Sequence, residues 1–241
     1  MSTSTRRVID FTGKTVLVSG GTSGIGRALV EAFAGLGATA HGIGLEPLPP
    51  GAGRTSFAFA DVTQDESIRA ALDELSGVDV LVNAAGAIRR DQEFDPAVFQ
   101  SIVDVNLNGM MRVTMQALPL LEKASGCVVN IASMLSYFGG ARVPAYSASK
   151  GGVVQLTRSL AVAWAARGIR VNAVAPGWIR TELTRDLYED EKRSEALLSR
   201  TPMGRWGDPA DLIGPVMFLS SPHASFVTGC VLPVDGGYSA A

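Results

Sequence analysis

The sequence predicts a doubly wound α/β fold, a seven-stranded parallel sheet with helices on both faces. Three observations predict it. Short continuous apolar runs alternate with segments of helical periodicity, which is how strands covered on both faces by crossover helices read. A glycine-rich turn follows the first of these runs and opens the first helix. The 241 residues, 46 % hydrophobic and 18 % charged, suit one domain over 1–241 with one large core.

The elements follow in order. Thr15–Val18 is the first strand, and the helix behind it runs from about Ile25 to Leu36. Thr39–Leu45 is the second strand, weakened by Gly42 and Gly44, and Ser56–Ala60 is the third. Between them Glu46–Gly53 is rich in Pro and Gly and reads as a loop. A helix over Asp65–Leu75 carries acidic residues in its first turn, which complements the helix dipole. Val78–Val82 is the fourth strand. Two helices follow, Asp95–Asn108 with Pro96 in its first turn and about Gly109–Lys123. Cys127–Ile131 is the fifth strand, a helix runs from about Ala145 to Ala166, and Arg170–Val174 is the sixth strand. Helical segments fill Thr181–Ser199 and Pro209–Ser220, and Cys230–Val234 is the seventh strand. Right-handed crossovers turn this order into a doubly wound sheet whose ligand lies at the carboxyl ends of the strands, near the switch point.

Composition excludes several function classes. A net charge of −2 does not suit a nucleic-acid binder, which needs clustered Lys and Arg. No run reaches the roughly 18 apolar residues of a membrane helix. Arg6 and Arg7 have no apolar stretch behind them, so no secretory signal is read and a cytoplasmic location is expected. Cys127 and Cys230 lie in apolar strand-like runs and read as buried reduced thiols. His41 and His223 lack partners at ligand spacing, so no metal site is read.

The glycine turn reads Gly20-Gly-Thr22-Ser23-Gly24-Ile25-Gly26. Glycines there let the backbone pass close to a pyrophosphate, and the free N–H groups of the helix start favour its charge. On the first strand of a parallel fold this points to a dinucleotide. The residue that selects the ribose should lie at the end of the second strand, where a carboxylate favours NAD and an Arg accommodates NADP. Gly44 stands there and is neither. Glu46 either reaches the ribose or is a solvated loop residue. With no Arg or Lys at 44–46, the reading leans to NAD over NADP.

Tyr146 and Lys150, four residues apart, share one helical face. Ser133 and Asn83 lie at two strand ends. A tyrosine titrates near 10, so work as a base near neutrality needs a shift of roughly three units, which a nearby ammonium and an oxidised nicotinamide would both favour.

With these residues in this order the chain resembles the short-chain dehydrogenase/reductase family in its short, single-domain branch, over nearly its whole length. The matching motifs are the glycine turn, Asp61-Val62, Asn83-Ala84-Ala85-Gly86, Asn106, Ser133, Tyr146-x-x-x-Lys150 and Pro176-Gly177. The resemblance implies a Rossmann fold and assigns roles. Tyr146 is the acid/base, Ser133 holds the substrate oxygen, Lys150 binds the nicotinamide ribose, and Asn106 holds a water in a proton relay. Gly20, Thr22, Ser23, Gly24, Ile25, Gly26 and Gly44 would meet the cofactor. So would Asp61 and Val62 at the adenine, and Asn83, Ala84 and Gly86 along the ribose. Pro176, Gly177, Ile179 and Thr181 resemble the segment that fixes the carboxamide. The resemblance also implies a homotetramer, and the small residues of the Tyr146 helix agree with close helix packing.

Three segments narrow the substrate: Gly86–Arg90, Ser133–Tyr146 and Thr201–Gly207. They resemble the family's bacterial sugar-acid dehydrogenases of the 2-deoxygluconate and 2-keto-3-deoxygluconate type. A sugar acid needs a cation, and an Arg suits its carboxylate. Arg142, four residues before Tyr146, and Arg90 are the candidates, each with the alternative of a surface or interface Arg. Trp178 either walls the pocket or belongs to the core. Residues 181–200 are expected to form a lid. The alternative reading is an NADPH-dependent 3-oxoacyl-[acyl-carrier-protein] reductase, which wants a basic patch for an acidic carrier.

Overall fold

The computed structural model describes residues 9–45 and 51–241; Glu46, most of the Pro-rich loop and Arg6–Arg7 lie outside the described residues. Seven strands form one parallel sheet in the order β3-β2-β1-β4-β5-β6-β7. They are β1 (Thr15–Ser19), β2 (Thr39–Gly44), β3 (Thr55–Phe59), β4 (Val80–Asn83), β5 (Cys127–Ile131), β6 (Arg170–Pro176) and β7 (Val231–Val234). The helices are α1 (Gly24–Gly35), α2 (Asp65–Leu72), α3 (Pro96–Val103), α4 (Met110–Ala124), α5 (Pro144–Trp164), α6 (Arg185–Tyr188), α7 (Glu191–Leu198) and α8 (Ile213–Ser220).

Strand pleating sorts the core into two layers. Val16 and Val18 of β1 pack with Leu29, Val30 and Phe33 of α1 and Val216 of α8. Leu17, between them, points the other way, to Ile68 of α2, Val113 and Leu121 of α4 and Trp164 of α5. All of β4 and β5 is buried, which explains why they are apolar apart from Asn83 and Asn130. β7 is an edge strand and half-buried, and Pro233 is tolerated there because an edge need not donate to a further neighbour.

The strand order reverses between β1 and β4, and the crevice at their carboxyl ends opens there. Register sets Ser19 beside Asn83, and Asn83 beside Asn130. These buried side chains are bonded in series: Ser19 Oγ to Asn83 Oδ1 (3.3 Å), Asn83 Nδ2 to Asn130 Oδ1 (2.9 Å), Asn130 Nδ2 to Thr157 Oγ1 of α5 (2.9 Å). Asn83 Nδ2 also donates to Thr114 Oγ1 of α4 (2.9 Å). The ladder satisfies polar groups that burial would otherwise penalise, and it pins α4 and α5 to the strand ends.

Two expected helices and one cysteine depart from expectation. The helix expected over Asp95–Asn108 stops at Val103 and continues as a π-helical turn over Asp104–Gly109. Such a turn inserts an extra residue, and functional sites often contain one. Asp95 starts α3 by accepting from the amides of Ala97 and Val98. The segment expected as one helix over Thr181–Ser199 is broken into a short 3₁₀ turn, α6 and α7, because Asp190 caps a new start by accepting from Arg193 N. Cys127 is buried, with its thiol pushed up to about 11 by burial, whereas Cys230 is only half-buried on the sheet edge. Among the described residues no helix is long and apolar enough to cross a membrane.

Candidate active site

Two adjoining cavities, of about 470 and 310 Å³, lie along the crevice and share Gly20, Ser23, Ala85, Gly86 and Arg89. The first is lined by Gly24, Ile25 and Gly26 at the start of α1, by Ala84, and by Thr181. The second is lined by Thr22, Gly44, Asp61 and Val62. Ser23 is the N-cap of α1 and makes no side-chain cap bond, so the helix start keeps unpaired donors facing an anion position. Gly20 has φ +68°, and a Cβ there would lie 2.5 Å from Ala85 N. At Gly26 a Cβ would overlap the Gly20 carbonyl oxygen. Both positions require glycine. An elongated double cavity with backbone donors at its waist fits a dinucleotide.

Beyond Gly86 a smaller cleft of about 70 Å³ holds Ser133 and Tyr146, with Arg90, Gly177 and Trp178 in its wall. Ser133 lies two residues past β5 and caps the turn Met134–Ser136, accepting from Leu135 N at 3.1 Å. Tyr146 sits in the first turn of α5, started by Pro144. Burial raises its phenol above the ordinary value; the Ser133 hydroxyl and Arg90 oppose the rise, and Glu93 reinforces it. The sequence expectation was the reverse, and the physical reason is desolvation. The chain alone favours the protonated phenol. Lys150, one turn on, is 3 % exposed; its Nζ donates to Ile131 O (2.7 Å) and lies 5.7 Å from the Tyr146 ring centre.

Burial holds Lys150 down at about 8, from 10.5. Below that value the folded chain carries a buried ammonium at full cost. As pH rises from about 8 to 10.5 the folded state sheds its proton first and the cost is relieved. Wild type is therefore expected to gain stability relative to Lys150→Met between pH 7 and 10.5, by up to about 3 kcal/mol. Denaturant melts at both pH values check this, and a pH-independent difference would overturn it.

Asn106 is fully buried in the π turn. Its Oδ1 accepts from Ala87 N (2.7 Å), and its Nδ2 donates to Ala87 O (2.9 Å) and Ser149 Oγ (3.1 Å). A Cβ on Gly86 would lie 3.5 Å from Asn106 Oδ1 and 3.7 Å from Lys150 Nζ, so these groups meet under the segment joining the cavities.

Several expected site residues lie elsewhere. The Arg142 side chain turns away from the cleft and forks onto Asp91 in solvent, its Nε at 2.7 Å from Asp91 Oδ1. Arg142 precedes the N-cap Val143 of α5 and so does not share the helical face of Tyr146, and the four-residue spacing misleads there. The Asn83 side chain is consumed by the buried ladder and cannot serve a ribose. Pro176 is buried at the end of β6, and Ile179 lines a separate cavity behind Trp178. Trp178 lines the cleft, while its Nε1 is buried with no partner among the described residues. Arg90 is where a cation is wanted. Its side chain is 15 % exposed, and its Nη1 donates to Leu183 O and Asp186 Oδ1 at 3.1 Å each. Thr181 also lies beside Gly24. Residues 181–186 are thus held over the junction of cavity and cleft. Sequence reading missed Glu93, which belongs to no motif, and gave no role to Ser149 and Ile88, which lie within singled-out segments at positions those patterns leave open. The acid adjacent to the two arginines in sequence is Asp91, so no local signal marked Glu93.

Comparison with known proteins agrees with this geometry. The family model described as enoyl-(acyl carrier protein) reductase matches residues 20–239. The chain is 44 % identical to 2-dehydro-3-deoxy-D-gluconate 5-dehydrogenase of Bacillus subtilis (strain 168), over 94 % of each chain. It is 36 % identical to the 3-oxoacyl-[acyl-carrier-protein] reductase FabG of Vibrio harveyi, over 95 % of this chain and 98 % of the other. A crystal structure from Agrobacterium tumefaciens assigned as a 2-deoxy-D-gluconate 3-dehydrogenase, with bound NADP, superposes with a TM-score of 0.89 at 38 % identity, covering 98 % of this chain and all of the other.

Proposed function

The chain belongs to the short-chain dehydrogenase/reductase family and is an oxidoreductase that uses a nicotinamide cofactor, and from that premise we propose that it interconverts a secondary alcohol and a ketone on a sugar acid. One observation carries the substrate class. Arg90 is a largely buried cation in the wall that the cleft of Ser133 and Tyr146 shares with the dinucleotide cavity. Its Nη2 and Nε have no hydrogen bond among the described residues and suit a carboxylate. The 44 % identical relative bears the name of an enzyme acting on such an acid.

A bound nicotinamide ring supplies the hydride acceptor. In the reducing direction Tyr146, protonated as its burial favours, gives its proton to the ketone oxygen; in the oxidising direction its deprotonated form takes the hydroxyl proton, and Ser133 donates a hydrogen bond to the same oxygen and fixes its direction. Lys150 would hold the nicotinamide ribose, while Ser133 and Arg90 oppose the desolvation that keeps the phenol protonated. Asn106 keeps an unused lone pair on Oδ1, with which it holds a relay water near Lys150 Nζ. Gly177 and Thr181 position the carboxamide end. Residues 181–200 act as the lid, tied down through Arg90 and through Trp206 Nε1 to Ser194 Oγ at 2.8 Å.

Both dinucleotides are expected to work. A side chain at Gly44 would meet Thr22 Oγ1 at 2.5 Å, so the end of β2 offers neither acid nor base. Glu46 lies outside the described residues. Arg89 lines the adenosine side, and among the described residues it has no salt bridge, which favours acceptance of a phosphate. The lean to NAD therefore stands only as a rate ratio, read from kcat/KM with each cofactor.

The carrier-protein alternative has a 36 % identical relative in its favour. It needs an accessible basic patch, and Arg142 is neutralised by Asp91. Pure protein offered deoxy-keto-sugar acids, aldonates, neutral polyols and a 3-oxoacyl thioester separates the readings. Turnover of a sugar acid supports ours; thioester reduction with silence on the sugars overturns it. Arg90→Ala is expected to raise KM for carboxylate substrates about 10–100-fold, the loss of a charge-assisted hydrogen bond. Equal loss on neutral polyols would instead assign Arg90 to the lid alone.

A homotetramer is the assembly this reading carries. On the exposed face of α5, Val162 is 83 % exposed beside Gln155, Arg158, Ser159 and Ala163, a mixed surface that a second copy would cover.

A further inference from the structure

Among the described residues Glu93 is the one fully buried acid, and it has no place in the mechanism above. It is 0 % exposed, and it forms no salt bridge among the described residues. Both of its oxygens are used. Oε1 accepts from Arg89 N at 2.9 Å, and Oε2 accepts from Tyr146 N at 2.8 Å.

The second bond explains a gap at the start of α5. Helix starts leave amides without partners, normally covered by a Ser, Thr, Asp or Asn at the N-cap. Here the N-cap is Val143, whose side chain cannot accept, and Tyr146 is the third residue of the helix. The cap is instead delivered from a loop 53 residues earlier in the chain. A carboxylate at that end is also favoured by the helix dipole, which accounts for a buried acid with no cation in contact. A parallel tie lies outside it: Asp91 N donates to Arg142 O at 2.9 Å, and Asp91 pairs with the Arg142 guanidinium in solvent. That ion pair is exposed and contributes little, whereas the Glu93 bonds are buried and charge-assisted.

We propose that Glu93 is a positioning residue for Tyr146: its carboxylate locks the first turn of α5 to the 89–93 loop, and so fixes the phenol relative to Arg90 and the cleft floor. The proposal rests on the acid/base reading of Tyr146. It extends that reading, because one side chain sets the distance between the proton-transfer group and the residue assigned to the substrate carboxylate. Displacing a reacting group by about 1 Å costs on the order of 100-fold in rate.

Glu93→Gln tests this in the full chain. Glutamine has the same shape but sets an NH₂ against one of the two amides, so only one tie survives. The expected result is a kcat lower by about 10–100-fold, with the dinucleotide Kd within about three-fold of wild type, both scaled to cofactor-binding sites. A role in packing alone predicts wild-type kcat in Glu93→Gln, and that outcome overturns the proposal. Should the variant not fold, amide hydrogen exchange on the wild-type protein decides. The Tyr146 and Arg89 amides should be protected to the same degree, and rapid exchange at either one overturns it. Tyr146→Phe run in parallel separates the two failures. Turnover that survives Tyr146→Phe refutes the acid/base reading, whereas turnover lost in Tyr146→Phe but intact in Glu93→Gln refutes the positioning role alone.

Discussion

Tyr146→Phe is expected to lower kcat by about 10³-fold, within the range for loss of a positioned general acid/base, and to leave the dinucleotide Kd nearly unchanged. The ring remains in the first turn of α5 and still fills the cleft wall, so packing is conserved. Only the phenolic oxygen is lost, beside Ser133 and Arg90, the groups that oppose its desolvation. The cavities that take the dinucleotide are lined by the glycine turn, β2 and the 84–89 segment, none of which bonds to that oxygen. Steady-state turnover and a fluorescence titration of the cofactor, measured on one preparation, check both halves. Turnover within ten-fold of wild type would assign proton transfer elsewhere. A large loss of cofactor affinity would show that the substitution had disturbed the crevice rather than the chemistry.

Gly26→Ala should act on binding instead. The methyl would overlap the Gly20 carbonyl oxygen and carbon, and would crowd Gly21 Cα at 3.1 Å. These are backbone atoms, so the neighbour cannot rotate away, and the turn must open or α1 must shift. Either movement carries the donors at the start of α1 away from the pyrophosphate. Loss of two charge-assisted hydrogen bonds, roughly 1.5–3 kcal/mol each, is about 100-fold or more in affinity. The overpacking itself is destabilising by about 1–3 kcal/mol, seen as a Tm lower by roughly 3–10 °C. Gly35→Ala is the control. It lies at the other end of the same helix, and a Cβ there meets nothing within 4 Å. Unchanged affinity in Gly26→Ala would mean that the turn does not approach the cofactor.

The fold and much of the crevice were legible in the sequence because both depend on local rules. β4 and β5 are buried throughout and apolar except at Asn83 and Asn130, since helices cover both of their faces. The glycine turn was legible because only glycine allows the close approaches at Gly20 and Gly26. Arg142 was misread for a related reason. Helical spacing was extended to a residue that precedes the helix, where the backbone no longer follows the 3.6-residue repeat. Asn83 was placed at the ribose by its position in a motif, yet the register with Asn130 turned its amide into the ladder.

The sequence by itself determined the sheet, the glycine turn and the set Ser133, Tyr146 and Lys150, because periodicity, turn chemistry and residue type are written one position at a time. Only the tertiary structure decided which arginine enters the cleft, which acid caps α5, and that Asn106 sits in a π turn against Ala87 and Ser149. Each of these is a contact between groups far apart in the chain: Arg90 with Asp186, Glu93 with Tyr146, Asn106 with Ser149. Loop path and helix orientation set such contacts, and neither is written in local residue preference.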